Sequence, residues 1–291
     1  MLTDRQPRRS GTGRVRLITG WASGSANDYR RPVAHPVQLE VLLPADRRGH
    51  VPPDEAELDL TDLYRTPGGT WLRANMIGTL DGAGTGSDGV TGSINGPADH
   101  RVFATLRALA DVIVVGAGTV RAEAYRAPRV PGTLRPGRRQ RGQADHPALA
   151  ILTRSGHLPE GVLADDPPPW VFTTTGNTHL GDLGRRLPAE RLHVHDGDDV
   201  DLASMRATLA EAGLTGQLTE GGPHLLAALI AAGQVDELCL TWSPALVGGA
   251  GLRVLEAGAW LDPPVNLRLA HLLHDDGFLI GRWLLTTAEA R

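Results

Sequence analysis

Residues 216 to 249 read Gly-Gln-Leu-Thr-Glu-Gly-Gly-Pro-His-Leu-Leu-Ala-Ala-Leu-Ile-Ala-Ala-Gly-Gln-Val-Asp-Glu-Leu-Cys-Leu-Thr-Trp-Ser-Pro-Ala-Leu-Val-Gly-Gly. This run predicts a strand ending at Glu220, a glycine turn, a helix and a second strand over Glu237–Trp242. Pro223 suits the first helical position, where a missing N–H costs nothing. Leu225, Leu226, Leu229 and Ile230 form one apolar helical face, and Gly233 suits the C-terminal cap. Bare N–H groups at Gly221 and Gly222, opening a helix, attract anions, and the helix dipole adds to the effect. Two readings stay open on these residues alone. One is an anion cradle with Glu220 beside it; the other is a tight strand-to-helix turn with an incidental glutamate.

The same alternation continues outward. Trp71–Ile77, Asp111–Val115, Leu149–Leu152, Val171–Thr173 and Leu192–His195 read as strands, and Pro97–Leu109 and Leu202–Ala212 as helices. Val265–Leu273 and Phe278–Leu285 flank Asp276-Gly277, an Asp-Gly hairpin signal. The expected fold class is therefore α/β: a mixed, mostly parallel central sheet flanked by helices, with a C-terminal antiparallel hairpin. The main domain is expected over residues 71–291. Residues 37–70 read as an N-terminal arm with a possible strand at Val37–Leu43. Residues 1–36 carry seven Arg against two Asp, a charge of +5, and read as a disordered basic tail or an overextended start.

Composition excludes several chemistries. All 29 basic residues are arginine, which removes a P-loop lysine, a Schiff-base lysine and a lysine general base. The single cysteine, Cys239, rules out a disulfide framework and reads as an inert core thiol. The net charge of −4 gives no reason to expect nucleic acid, and no apolar run approaches a membrane span. His193, His195, His271 and His274 lack further ligands at metal spacing, so no metal is expected.

Four glycine-bearing turns follow predicted strands, and ligands of open α/β sheets collect beyond such strand ends. Gly78-Thr79-Leu80-Asp81-Gly82 is the first; a plain turn with Asp81 capping backbone N–H groups is its simpler reading. Val115-Gly116-Ala117-Gly118-Thr119-Val120 is the second. Arg121 stands where a dinucleotide fingerprint has its third glycine, so the glycine count does not make a Rossmann site. Thr153-Arg154 is the third, and a planar guanidinium there suits the 2′-phosphate that separates NADPH from NADH. Glu220-Gly221-Gly222-Pro223 is the fourth. The stretch Arg129–Pro147, with Arg129, Arg135, Arg138, Arg139 and Arg141, reads as a long basic loop, solvated and mobile over most of its length.

Together, Thr79-Leu80-Asp81-Gly82, Leu106-Arg107, Val115–Val120, Glu220–Pro223, Val235–Leu238 and Ser243–Gly249 resemble the C-terminal reductase domain of the riboflavin-biosynthesis protein RibD. The resemblance runs in order over about residues 71–285. It implies a dihydrofolate-reductase-like fold, a cytoplasmic homodimer, and NADPH-dependent reduction of the ribosyl group of a phosphoribosylamino-pyrimidine. The family's deaminase signatures are not found before residue 71, so the chain resembles a stand-alone reductase. The resemblance implies cofactor contacts at Gly78, Ser93, Gly116, Gly118, Thr119, Val120, Thr153 and Arg154. The turn Gly221, Gly222, Pro223, His224, Leu225 and Leu226 is implied to hold the pyrophosphate. Asn75, Asp81, Thr91 and Arg129 are implied to face the substrate, with Glu220 and Glu123 as candidate acids and Glu220 preferred. Burial at a strand end is expected to help keep one of them protonated. Asn75 replaces a lysine usual in the bifunctional enzymes, and Glu123 stands where the family often has Asp. A dihydropterin substrate is therefore a second reading, and an NADP-binding protein without catalysis a third.

Overall fold

The computed structural model describes residues 37–285; the basic stretch 1–36 lies outside the described residues. In chain order the elements are β1 (Leu39–Leu43), β2 (Gly49–Val51), α1 (Leu58–Leu63), β3 (Trp71–Thr79), α2 (Pro97–Leu109), β4 (Val112–Gly116), α3 (Ala117–Ala122), α4 (Arg135–Gln140), β5 (Ala148–Leu152) and α5 (Glu160–Leu163). They continue with β6 (Trp170–Thr174), α6 (Leu180–Arg186), β7 (Leu192–His195), α7 (Leu202–Glu211), β8 (Gly216–Thr219), α8 (Pro223–Ala231), β9 (Glu237–Ser243), β10 (Leu267–Asp275) and β11 (Phe278–Leu285). The predicted Pro97–Leu109 and Leu192–His195 coincide with α2 and β7.

One eleven-stranded sheet runs β2-β1-β10-β11-β9-β3-β8-β4-β5-β6-β7. From β9 to β7 every pairing is parallel. From β9 outward through β11, β10, β1 and β2 every pairing is antiparallel. Parallel strands are covered on both faces, which is why β4 reads Val-Ile-Val-Val without alternation and is buried throughout. One face packs Val102 and Leu106 of α2 with Val120, Val162 and Leu183. The other packs Met205 and Leu209 of α7 with Leu226 and Leu229 of α8.

Residues 37–70 are built into this body. β1 pairs with β10 and covers the free edge of the C-terminal hairpin. Arg101 of α2 donates to the carbonyls of Val37, Val51 and Pro52 and to the Glu57 carboxylate, so one guanidinium ties the segment to α2. Its planar fork of donors makes this possible.

The segment Arg129–Pro147 departs from the expected mobile loop. It carries a 3₁₀ turn at Gly132–Leu134 followed by α4, and Arg138 is only 1% exposed. Arg138 donates to the carbonyls of Arg107, Ala108 and Ala110 at the C-terminal end of α2, where helical partners run out. Burial pulls its guanidinium down to about 10, so it stays charged at neutral pH. The arginines look solvated in sequence because helix C-termini recruit them over distances that a linear reading does not see.

Where the sheet changes from parallel to antiparallel, Glu237 of β9 is buried between Arg73 of β3 and Arg282 of β11. Trp71 donates to the same carboxylate at 3.0 Å. Burial pushes the Glu237 carboxyl up, but the two guanidinium groups outweigh it and hold the carboxyl below its usual range. Cys239 is buried beside them, and burial raises its thiol well above the ordinary range, consistent with an inert core cysteine. Glu237→Gln would leave two buried cations uncompensated. We expect it to lower stability by about 3–5 kcal/mol, measured by urea unfolding.

Candidate active site

β3 lies in the interior of the sheet, with neighbours on both sides, yet Asn75, Met76 and Ile77 at its centre are only half-buried. A central strand stays accessible only where the covering helices part. Side chains alternate along a strand, so Asn75 and Ile77 face α2 and Met76 faces away. Ala74 pairs with Thr219, so the next residue of each chain brings Glu220 beside Asn75. The two residues that sequence reasoning set at the substrate side therefore meet.

Glu220 is held in a buried ion pair. Arg107 of α2 forks its carboxylate at 2.6 and 2.7 Å, and the Tyr125 hydroxyl donates to it as well. The side chains of Arg107 and Glu220 are 2% and 6% exposed. Each of these partners donates to the Glu220 carboxylate, so the strand-end burial expected there comes with a buried cation beside it. Arg107 also stacks over the Phe103 ring at 4.2 Å.

The second and fourth turns converge. The Gly116 N–H donates to the Gly221 carbonyl at 3.2 Å. Gly221 has φ +94°, a conformation that favours glycine, and the Gly221–Gly222 peptide is cis. A Cβ on Gly222 would lie 2.9 Å from Thr119 Oγ1, and one on Gly221 would lie 3.2 Å from Met76 Sδ. The backbone there is thus pressed between the first turn of α3 and the centre of β3. Gly118 faces open space, and Val120 is on the buried side of α3. Behind Pro223, His224 is exposed, Leu225 is half-buried and Leu226 is in the core.

The third turn lies one strand further out, because Gly116 pairs with Leu152. Thr153 is buried and its hydroxyl accepts from the Gly156 N–H at 2.9 Å. Arg154 is exposed and pairs with the exposed Asp199 at 3.5 Å, a contact of little strength.

The first turn is assembled differently from expectation. The Asp81 carboxylate accepts from the Thr79 hydroxyl and from the N–H groups of Val247 and Gly248. These bonds hold its carboxyl below the usual range, led by the Thr79 hydroxyl. Asp81 therefore fastens the turn after β3 to the Ser243–Gly249 segment, and its simpler reading as a backbone cap is the one the geometry matches. Gly78 sits against Val254, with no room for a Cβ. Thr91 donates to Glu123 at 3.4 Å from its N–H and 3.5 Å from its hydroxyl, so these two come together. Ser93 bonds within its own loop, to Asp88 and the Val90 carbonyl. Arg129 is exposed, outside this convergence.

Sequence reasoning missed Arg107, Tyr125, Phe103 and Asp99 as site residues. A signal existed for two of them. Asp99 and Arg107 lie on the same stripe of α2 as Val102, Phe103 and Leu106, and a charge on an apolar stripe demands a partner. Asp99 is 7% exposed and accepts a hydrogen bond from the Thr241 hydroxyl, and burial pushes its carboxyl up to about 6. Among the described residues no group of three or more His, Cys, Asp or Glu could hold a metal ion, and no helix is long and apolar enough to cross a membrane.

Residues 70–279 match the family model described as RibD C-terminal domain. The chain belongs to the RibD C-terminal domain family. It is 26% identical over 190 residues to a 2,5-diamino-6-ribosylamino-4(3H)-pyrimidinone 5′-phosphate reductase of Archaeoglobus fulgidus, across 62% of this chain and 82% of that protein. It is 30% identical over 149 residues to the riboflavin biosynthesis protein RibD of Bacillus amyloliquefaciens, across 47% of this chain and 35% of that protein. In fold it resembles a pyrimidine reductase-like protein of Corynebacterium diphtheriae, with a TM-score of 0.66 at 23% identity over 75% of this chain and 92% of that one. The α/β architecture, a mostly parallel sheet with a C-terminal antiparallel hairpin, is the one expected from the sequence.

The raised Asp99 carboxyl has a consequence for stability. Its contribution is fully present below the unfolded value of 3.8 and is lost as pH rises through about 6. Asp99→Asn removes this loss. Its stability relative to the parent protein should therefore improve by up to about 3 kcal/mol between roughly pH 4 and pH 7. Urea unfolding across that range checks it; a flat difference would return Asp99 to the ordinary carboxylate range.

Proposed function

We propose that the chain is an NADPH-dependent reductase of riboflavin biosynthesis. It would convert the ribosylamino group of a phosphorylated aminopyrimidine, the 5-amino-uracil or the diamino-pyrimidinone form, to a ribitylamino group. The observation that carries this is the bond between the Gly116 and Gly221 turns, which brings the N-terminus of α8 and Thr119 together beside the half-open centre of β3. Side-chain-free backbone at Gly221 and Gly222, ahead of a helix N-terminus, suits a pyrophosphate. Family membership and the reductase relative of Archaeoglobus fulgidus support the same reading.

NADPH, when bound, supplies the hydride that reduces C1′ of the ring-opened ribose. The chain's own residues position the partners. Gly221, Gly222 and the first turn of α8 hold the pyrophosphate, with Thr119 against Gly222. Arg154 takes the 2′-phosphate, exchanging its exposed pairing with Asp199 for a bidentate one. Asn75 and Thr91 face the substrate, and Arg129 reaches its phosphate from the rim. Glu220 anchors Arg107 and keeps that cation under the substrate. Glu220 and Glu123, the latter half-buried beside Thr91, are the two carboxyls that could deliver the proton the amine nitrogen gains, Glu220 first because it adjoins the pyrophosphate turn. The enzyme would act in the cytoplasm as a homodimer, a state that light scattering reads directly.

Turnover decides the reading. NADPH should be oxidised with the phosphoribosylamino-pyrimidine. No oxidation at saturating substrate would sink the proposal. Reduction of dihydrofolate instead would favour a pterin reductase, a reading supported by the neutral Asn75 in a chain without lysine. A melting temperature raised by NADPH, with neither substrate reduced, would leave a cofactor-binding protein without catalysis.

Arg154→Ala should weaken NADPH by roughly 10–100-fold, the worth of one charge-assisted contact, while changing NADH affinity by less than about 3-fold. Equal losses by calorimetry would remove Arg154 from the 2′-phosphate.

A further inference from the structure

The first residues of the central strands line a cavity to which none of the four glycine turns contributes. Trp71 opens β3, Gly216 opens β8, and the two are paired. Both line a cavity of about 410 Å³, together with Tyr64 at the end of α1 and Leu106 and Leu109 of α2. The glycine turns follow the other ends of the same strands. Gly221 lies five residues beyond Gly216, about 16 Å of extended chain. The family match begins at residue 70, so Thr61, Tyr64, Arg65 and Thr66 bring to this wall a segment from outside it.

The lining carries charge of one sign. Arg65, Arg73 and Arg141 belong to it, and no acidic side chain does. Arg73 is buried and shares the Glu237 carboxylate with Arg282, so two cations stand against one anion at that wall. Arg65 is exposed, and its pairing with the exposed Asp62 at 2.8 Å contributes little. Arg141 is exposed as well. It donates to the Ala108 carbonyl at 2.8 Å and to Gln143, and has no ion pair among the described residues. The Asp111 carboxylate acts on Arg141 from a distance, but it already accepts from the Gly216 N–H and the Gln143 side chain. The remaining wall is flat or apolar: Tyr64 is buried, Trp71 is half-buried, and Leu106 and Leu218 belong to the core.

We propose that this cavity is a second small-molecule site, separate from the cofactor turns, that takes an aromatic oxyanion: a flat apolar ring bearing one carboxylate or phosphate. Its volume falls within the range of about 300–1,000 Å³ that small-molecule sites occupy. The ring lies among Tyr64, Trp71 and the leucines, where its burial removes apolar surface from water. The head group stays at the exposed rim, where the Arg141 guanidinium pairs with it through two parallel N–H bonds. An uncharged ring gains the first contribution and not the second. A cationic ring meets three guanidinium groups and is rejected. None of these residues is assigned to the substrate or the cofactor, so the site stands whether or not the reductase reading does.

The test is calorimetry on the full chain with three probes: 2-naphthoate, 2-naphthyl phosphate and the neutral 2-naphthamide. At least one of the two anions should bind about 10-fold or more tightly than the amide, the worth of one charge-assisted contact. The tighter anion identifies the head group as carboxylate or phosphate. Arg141→Gln should bring that anion down to the affinity of the amide, while the amide itself changes by less than about 3-fold. Thr66→Trp sets an indole into the wall and should weaken all three probes by about 10-fold or more, an effect of position and not of charge. Arg141 is exposed and Thr66 half-buried, and either variant alone decides if the other does not fold. Amide and anions binding equally to the parent protein would overturn the proposal. So would anion binding that neither variant changes, which would put the probe elsewhere on the molecule, the cofactor turns included. No binding of any probe at about 1 mM would overturn it as well.

Discussion

The pairing of Arg107 with Glu220 sets the distance between α2 and the turn after β8, and the cleft depends on that distance. Arg107 comes from the helix that covers one face of the sheet. Glu220 comes from the end of a strand at the middle of that sheet, and the next two residues are the glycines of the anion turn. Moving α2 would therefore move the turn. Two further arginines hold the helix in place, and a third ties β11 to the end of α1. Arg101 joins it to the segment before β3, Arg138 satisfies its last carbonyls, and Arg282 is the third. Each donates to several acceptors in one plane, which a guanidinium can do and an ammonium cannot match in a fixed geometry. A lysine-free chain is thus no handicap to this architecture.

Much of the fold was legible because it follows local rules. Pro97 opens α2, Asp276-Gly277 makes the hairpin, and the unbroken apolar run of β4 announces a doubly covered strand. The glycine turns after β4 and β8 were legible as separate anion-binding candidates. What joins them is a hydrogen bond between Gly116 and Gly221, which spans over a hundred residues of sequence and leaves no local trace. The same holds for β1, whose partner β10 lies at the other end of the chain.

The carboxylates were the least legible part. Asp81, Glu123, Glu220 and Glu237 each follow or lie in a strand or turn, and each could be a cap, an acid or an ion-pair partner by position alone. Their roles separate only when donors are counted in three dimensions. Asp81 collects backbone N–H groups, Glu237 collects two guanidinium groups and an indole, and Glu220 collects one guanidinium and a phenol. Glu220 reads as the acid in sequence because it adjoins the anion turn. The arginine that pairs with it lies on a covering helix, more than a hundred residues earlier, and leaves no local trace.

Asp99 is the residue for which counting donors leaves a remainder. In sequence it is an ordinary acidic residue in the first turn of a helix, where the dipole favours negative charge. In the fold it is buried, with the Thr241 hydroxyl as a partner. Its desolvation makes the folded state least favourable in the pH range where the group is ionised, so nothing in the stability of the fold explains it. An asparagine would fit the same space and accept from Thr241 without that cost. The feature that distinguishes the carboxylate from the amide is its capacity to accept two donors at once.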